Sequence, residues 1–159
     1  MQYKNKEYKV LNEKQEGKIL YLALQEVEGE VKAEVAGDQK FKPSKRTLDN
    51  LKGVHTDLVK VILEAMKESP YDFTVTDAGR TAAEQNEKYQ QGRTKAGAKV
   101  TSLDGYIKKS NHQIKADGYA YAVDLYVIVN GKLRAESGDY EKYKKEINEV
   151  SKHILDTAK

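Results

Sequence analysis

The stretch AYAVDLYVIV, residues 120–129, decides the fold of this chain. Its run of Val, Ile, Leu and Tyr predicts the strongest strand of the sequence. Asp124 lies inside this apolar run, between Val123 and Leu125. A buried carboxylate is costly unless it has a partner. The sequence leaves three partners open for Asp124: a metal ion, an arginine, or a set of backbone N–H groups.

Two elements are predicted after this strand. Asn130-Gly131 is a turn signal, and KLRAES, residues 132–137, is the predicted returning strand of a hairpin. DYEKYKKEINEVSKHILDTA, residues 139–158, places apolar residues at helical spacing. The C-terminal part of the chain therefore predicts a β-hairpin followed by a helix.

The segments before the 120–129 strand determine the predicted fold class. DFTVT, residues 72–76, alternates like a strand, and TAAEQNEKYQQG, residues 81–92, predicts a helix that ends at its glycine. Ser44 can cap a helical stretch that breaks near Gly53 and His55 before it continues. These elements predict an α+β fold in which a small antiparallel sheet has flanking helices.

The N-terminal segment is predicted to be separate from this domain. Residues 18–24 and 26–37 are short runs of β-forming residues around a glycine turn. We expect residues 1–40 to form an appendage with a β-hairpin, and residues 41–159 to form the main domain. A charged helix over residues 19–35 is the alternative reading.

Composition excludes several classes of protein. The 159 residues suit one domain, and their 28 basic and 25 acidic residues are too balanced to predict a nucleic-acid partner. No cysteine is present, so there is neither a disulfide nor a thiol nucleophile. No apolar run reaches the roughly 18 residues of a membrane span. The N-terminus MQYKNKEYKV has no signal-peptide pattern, so we expect synthesis in a cytoplasm.

Metal-capable residues are few. The chain has three histidines, His55, His112 and His153, and catalytic zinc usually takes three protein ligands from His, Asp and Glu. His112 lies in a loop, in SNHQ, upstream of Asp124. We expect His55, at a helix start, and His153, on the last helix, to have structural roles.

An ordered set of motifs surrounds these residues. The chain runs from FTVTDAGRT (73–81), through a helix that contains Gln85, to QGRTK (91–95), SNHQ (110–113) and AVDLY (122–126). This order resembles the M15 zinc peptidases, and in particular the VanY-type and L-alanyl-D-glutamate peptidases of phage endolysins. The resemblance covers about residues 41–150 and implies a hedgehog/DD-peptidase-like fold.

The resemblance implies a role for five residues. His112 and Asp124 would be zinc ligands, and Arg80 would stabilise the oxyanion of the tetrahedral intermediate. Ser110 and Gln85 would support the site or contact substrate. The implied reaction is hydrolysis of a peptidoglycan stem peptide by zinc-activated water. Without a signal peptide, such an enzyme would reach the bacterial wall only when another factor releases it.

The chain departs from the family pattern in three ways. Eleven residues separate His112 from Asp124, which is a longer gap than usual, and Ala120 replaces a glycine. The family's C-terminal strand, which carries a catalytic acid and a histidine that is the third metal ligand, is not found in the sequence. The chain therefore looks truncated, and we expect impaired activity. Two alternatives remain open: a non-catalytic descendant that acts as a binding or structural module, for instance in a phage particle, and a domain in which Asp124 pairs only with Arg80.

Overall fold

A computed structural model describes residues 8–11, 20–24 and 40–159, and it has the predicted α+β class. The strands are β1 (Tyr8–Leu11), β2 (Leu20–Leu24), β3 (Asp72–Asp77), β4 (Ala122–Val129) and β5 (Lys132–Leu133). The helices are α1 (Lys45–Asn50), α2 (Thr56–Glu68), α3 (Ala82–Gln90), α4 (Asp139–Lys142) and α5 (Lys144–Thr157). None of the helices in this described part has the length and apolar character needed to cross a membrane.

Strand β4 is the centre of an antiparallel sheet. The strand order is β1-β2-β4-β3, and β5 also pairs with β4 through the hairpin. In the register, Asp124 lies opposite Asp77 of β3 and opposite Tyr21 of β2. A register shift between Val75 and Asp77 marks the end of regular pairing. The residue that interrupts the apolar run therefore has a paired strand on each side.

Helices α2 and α5 cover the sheet and form the core with it. They pack against each other, and α5 also contacts β4. The apolar residues at helical spacing point inward, as the sequence predicts. The largest fully buried apolar side chains in the described chain are Leu58, Ile62, Met66, Phe73, Leu125, Ile147 and Ile154.

The predicted helix starts are confirmed. The Ser44 side chain accepts a hydrogen bond from the Thr47 backbone N–H at the start of α1. His55 accepts from the Asp57 N–H and caps α2, so its predicted structural role is also confirmed. Thr81 and Glu84 form a reciprocal capping box at α3.

The C-terminal part follows the prediction with two differences. Asn130 (φ 53°) and Gly131 (φ 71°) both adopt the left-handed conformation of a type I′ hairpin turn. The returning strand is shorter than predicted, because regular pairing is confined to Lys132–Leu133. The single predicted helix is divided at Tyr143, whose φ of −114° and ψ of 25° lie outside the helical region.

The described N-terminal strands are β1 and β2. β2 matches the predicted 18–24 run and pairs with β1 at Tyr8–Leu11, and the predicted second run, 26–37, lies outside the described residues. β2 also pairs with β4, so the N-terminal pair extends the sheet of the main domain. The division into residues 1–40 and 41–159 stays a prediction.

Deletion of residues 1–39 tests that division. We expect residues 40–159 to stay folded, because the members of the apolar cluster whose side chains the structure describes lie within residues 51–158, between the sheet, α2 and α5. Urea unfolding followed by circular dichroism should keep one cooperative transition. Loss of β2 leaves one edge of β4 unpaired, which favours association, so light scattering should accompany the measurement. A deletion variant without a cooperative transition would contradict the prediction.

Candidate active site

Asp124 lies at the centre of a buried polar cluster. It is 3% exposed, and its two carboxylate oxygens face different partners. Oδ1 lies 3.4 Å from His112 Nε2, and Oδ2 lies 3.6 Å from Arg80 Nη2. His112 and Arg80 are themselves 3% and 5% exposed. The structure thus brings together the three residues for which the sequence predicts the central roles.

Backbone hydrogen bonds hold the His112 loop against Arg80. The Arg80 N–H donates to the His112 carbonyl (2.6 Å), and the Ile114 N–H donates to the Arg80 carbonyl (2.9 Å). The Ser110 hydroxyl accepts from the His112 N–H (3.2 Å), while the Ser110 N–H donates to the Gln113 side chain. Ser110 is buried and supports the loop; a contact of Ser110 with substrate stays a prediction.

Arg80 is fixed by side chains on two of its sides. Its Nε and Nη2 donate to the two oxygens of Asp77, at 3.2 and 3.0 Å. Its Nη1 donates to Gln85 Oε1 at 2.7 Å. The Asp77 pair has the two-pronged geometry that suits a guanidinium group. The guanidinium group is therefore pre-positioned beside Asp124.

Gln85 connects Arg80 to the following loop. Its amide nitrogen donates to the Leu103 carbonyl (2.9 Å) and to the Thr101 hydroxyl (3.3 Å). The side chain is fully buried on α3. These contacts give Gln85 a supporting role, and a substrate contact through this amide stays a prediction.

Asp77 was not singled out from the sequence, although it is central to the charge balance of the site. Burial raises the pKa of Asp77, but hydrogen bonds and charge from Arg80 and Lys88 outweigh burial and hold that pKa below its ordinary value. Lys88 Nζ lies 3.0 Å from Asp77 Oδ2. Tyr126 lies on β4, two residues after Asp124. Burial raises the pKa of Tyr126, and the charges of Asp124 and Asp77 raise it further.

The long gap between His112 and Asp124 folds as a compact side turn. The Gly118 N–H donates to the Lys115 carbonyl, and the Lys115 N–H donates to the Tyr119 carbonyl. At its end, the Ala120 N–H donates to Gly53 O (2.7 Å), and the His55 N–H donates to Ala120 O (2.9 Å). The extra residues are therefore accommodated on the α1–α2 junction, and His112 still reaches Asp124.

Aromatic contacts hold the same turn. The His55 ring stacks on Tyr121 with a centroid distance of 5.0 Å and meets Tyr119 edge-on at 5.4 Å. Lys115 Nζ lies over the Tyr121 ring. His153 is elsewhere, on α5, where its Nε2 lies 3.0 Å from the Ala65 carbonyl of α2. Both histidines therefore have the structural contacts expected from the sequence.

The His112 and Asp124 atoms meet the distance requirement for two ligands of one zinc ion. Ligand atoms about 2.0–2.2 Å from zinc in tetrahedral geometry lie roughly 3.3–3.6 Å apart. The observed 3.4 Å falls in this range, and it exceeds the usual 2.7–2.9 Å of a direct charge-assisted hydrogen bond. No group of three His, Cys, Asp or Glu side chains placed to hold a metal occurs among the described residues. The donor set present is therefore suitable but has two members.

Comparison with known proteins identifies the family of this chain. Residues 39–156 match the family model of phage L-alanyl-D-glutamate peptidase. The chain belongs to this family. Membership confirms the resemblance inferred from the ordered motifs and places the chain among peptidases that act on peptidoglycan.

Among the solved structures that are similar is the L-Ala D-Glu endopeptidase ChiX of Serratia marcescens, with 25% sequence identity and a TM-score of 0.44. The match covers 70% of this chain and 71% of that chain.

The Asp77–Arg80 pair leads to a pH-dependent prediction. Asp77→Asn should lower the free energy of unfolding by about 1–3 kcal/mol at neutral pH, because a buried arginine loses a charged acceptor. The folded-state pKa of Asp77 lies below the ordinary 3.8, so its contribution is present above that value and is lost as the pH falls through the folded-state pKa.

Urea unfolding of the wild type and Asp77→Asn at pH 7, 5 and 3 checks this prediction. The difference between the two proteins should persist from pH 7 to pH 5 and shrink at pH 3. A matched control is Asp49→Asn, at an exposed carboxylate that pairs with Lys45 and Lys52 on the surface of α1. It should change stability much less, since exposed ion pairs contribute little. A difference for Asp77→Asn that does not vary with pH would contradict the assignment.

Proposed function

We propose that this chain recognises the L-alanyl-D-glutamate bond of peptidoglycan stem peptides and that its hydrolytic site is a zinc site at His112 and Asp124. One observation carries the proposal: a buried imidazole and carboxylate lie 3.4 Å apart beside a fixed arginine, in a chain of this peptidase family. Zinc, when bound, polarises a peptide carbonyl and makes water nucleophilic near neutral pH.

The two carboxylate oxygens of Asp124 have different roles in this proposal. Oδ1 faces His112 and would hold the metal together with His112 Nε2, and Oδ2 stays beside Arg80. The guanidinium charge beside Oδ2 offsets part of the cost of burying the Asp124 carboxylate.

Arg80 has the role of stabilising negative charge on the scissile carbonyl oxygen. Asp77 and Gln85 hold its Nε, Nη1 and Nη2, so its position costs no reorganisation during the reaction. A guanidinium group keeps its proton at all relevant pH values, so the charge is always present. Asp77 and Gln85 act through Arg80 and are positioning residues.

The affinity for zinc should be low in this chain. Structural zinc sites with a full set of ligands gain roughly 10–16 kcal/mol. The loss of one ligand removes about 3 kcal/mol, which is more than a hundredfold in affinity. A missing general acid would separately cost about 10²–10⁴ in rate. We therefore expect slow hydrolysis unless a side chain outside the described residues or a partner chain completes the site.

A non-catalytic binding module is the second candidate. It is favoured by the two-member donor set within residues 40–159 and by the pairing of Arg80 with two carboxylates. In this case the Asp77–Arg80–Asp124 ion pairs and the hydrogen bonds around them would keep the shape of the site without a metal. The chain would bind stem peptide without cleaving it.

Zinc binding and murein hydrolysis separate the two candidates. Purified protein is titrated with zinc against a chromogenic chelator, and peptide release from purified murein is followed with and without added zinc. We expect weak zinc binding, about a hundredfold or more below that of a complete site, and slow release that increases with zinc. His112→Ala should abolish both.

His153→Ala is the matched control, since His153 contacts α2 and lies outside the cluster. It should leave zinc binding unchanged. Fast zinc-dependent hydrolysis that His112→Ala abolishes would refute the expected impairment and support the family activity. Absence of zinc binding in a folded protein would refute the zinc site and favour the binding module.

A further inference from the structure

A rigid turn precedes the His112 loop. The Asp104 carboxylate accepts hydrogen bonds from the backbone N–H groups of Tyr106, Ile107 and Lys108. The Gly105 N–H donates to the Lys108 carbonyl and closes the turn. We name residues 104–109 the Asp104 turn. Because one side chain satisfies three backbone donors, the turn has a defined shape without help from a neighbouring element.

The Asp104 turn is attached to the same residues that position the catalytic cluster. Gln113 donates to the Gly105 carbonyl (2.8 Å), and Asn86 of α3 donates to the Asp104 carbonyl (2.8 Å). A Cβ on Gly105 would lie 2.7 Å from the Ala82 carbonyl, so the turn packs closely against the start of α3. The turn therefore cannot move independently of α3, which carries the Gln85 partner of Arg80.

The outer side of this turn is apolar and positively charged. Ile107 is 91% exposed and Tyr106 is 59% exposed, although the turn below them is well ordered by hydrogen bonds. Lys108 and Lys109 are also exposed. Neither lysine has an ion-pair partner among the described residues, whereas Lys144 and Lys145 of α5 pair with Glu141 and Glu149.

The turn also lies close to the proposed reaction centre along the chain. Lys109 precedes His112 by three residues, so their Cα atoms are at most about 11 Å apart. A lysine side chain extends several ångströms further and carries a mobile ammonium group. This spacing is short enough for Lys109, and Lys108 beside it, to meet a peptide that extends outward from His112 and Asp124.

We propose that the Asp104 turn is the part of the site that binds the glutamate side of the substrate. Lys108 and Lys109 pair with the free glutamate carboxylate, and Tyr106 and Ile107 pack against the aliphatic part of the same peptide. The proposal rests on the proposed function, since that function supplies the anionic peptide. Two observations favour a glutamate peptide at this turn. The lysines are complementary in charge to its carboxylate, and the turn is held in place by hydrogen bonds to α3 and Gln113.

Binding of a synthetic stem peptide that contains the L-alanyl-D-glutamyl unit tests this directly, because binding does not require turnover. The wild type is titrated with the free-carboxylate peptide and with the peptide whose glutamate carboxylate is amidated, by two-dimensional NMR at low and high salt. We expect tighter binding of the free acid, and a smaller difference at high salt. The double variant Lys108→Gln/Lys109→Gln should weaken binding of the free acid by about 2- to 30-fold and remove the preference over the amide.

The matched control is Lys144→Gln/Lys145→Gln, which removes the same charge from two exposed adjacent lysines on α5. It should leave peptide binding unchanged. Ile107→Ser should weaken both peptides by about three- to tenfold, because the lost contact is apolar, and Leu48→Ser, at another exposed apolar residue, should not. These four variants change exposed side chains, and circular dichroism should report an unchanged fold.

Each outcome decides the proposal. Equal effects of the two lysine double variants, equal affinity of the wild type for acid and amide, or no detectable binding of either peptide would overturn it. Carboxylate-selective binding in a protein that does not hydrolyse murein would support the turn and refute only the catalytic proposal. Hydrolysis that is unaffected by Lys108→Gln/Lys109→Gln would refute the turn and leave the catalytic proposal intact.

Discussion

The burial of one carboxylate, Asp124, is the constraint on which the rest of this structure depends. The side chain lies in the central strand with paired strands on both sides, where an unpaired charge would cost several kcal/mol. Arg80 and His112 approach its two oxygens from separate loops. Each loop must therefore return to the same face of β4, and this requirement determines where α3 begins and how the His112 loop is held.

The charges around Asp124 are balanced among a few groups. Asp77 and Asp124 contribute two negative charges, and Arg80 and Lys88 contribute two positive charges. The formal charges of these four side chains balance one another. A divalent ion at Oδ1 of Asp124 would add positive charge near Arg80, and repulsion between the two charges is a second reason to expect modest affinity. The same balance allows the folded cluster to persist without metal.

The departures from the family pattern are absorbed by local packing. The longer gap between His112 and Asp124 folds against the start of α2, where His55 caps the helix and stacks on Tyr121. Ala120 is fully buried, and its backbone N–H and carbonyl are hydrogen-bonded to Gly53 and His55 at the α1–α2 junction. Insertions are tolerated in this way when the two ends of a loop remain close together.

The sequence by itself determined the local elements and the identity of the central cluster. The strand with Asp124, the Asn130-Gly131 turn and the caps Ser44 and His55 follow from short-range chemistry, and the ordered motifs selected Arg80 and His112. Local patterns cannot specify pairing between distant segments, because many registers satisfy the same alternation of apolar residues. The pairing of Asp77 with Arg80, three residues further along the chain, depends on the conformation of the turn between β3 and α3, which the alternation of apolar residues does not specify.

Only the tertiary structure decided the remaining features, because they depend on contacts between segments far apart in the chain. The pairing of β2 with β4 and the attachment of the Asp104 turn to Gln113 and α3 are of this kind. The apolar spacing of the last helix continues through Tyr143, so the sequence did not predict that the helix is divided at this residue. Backbone geometry and long-range packing override a periodic pattern wherever the chain must change direction over a core.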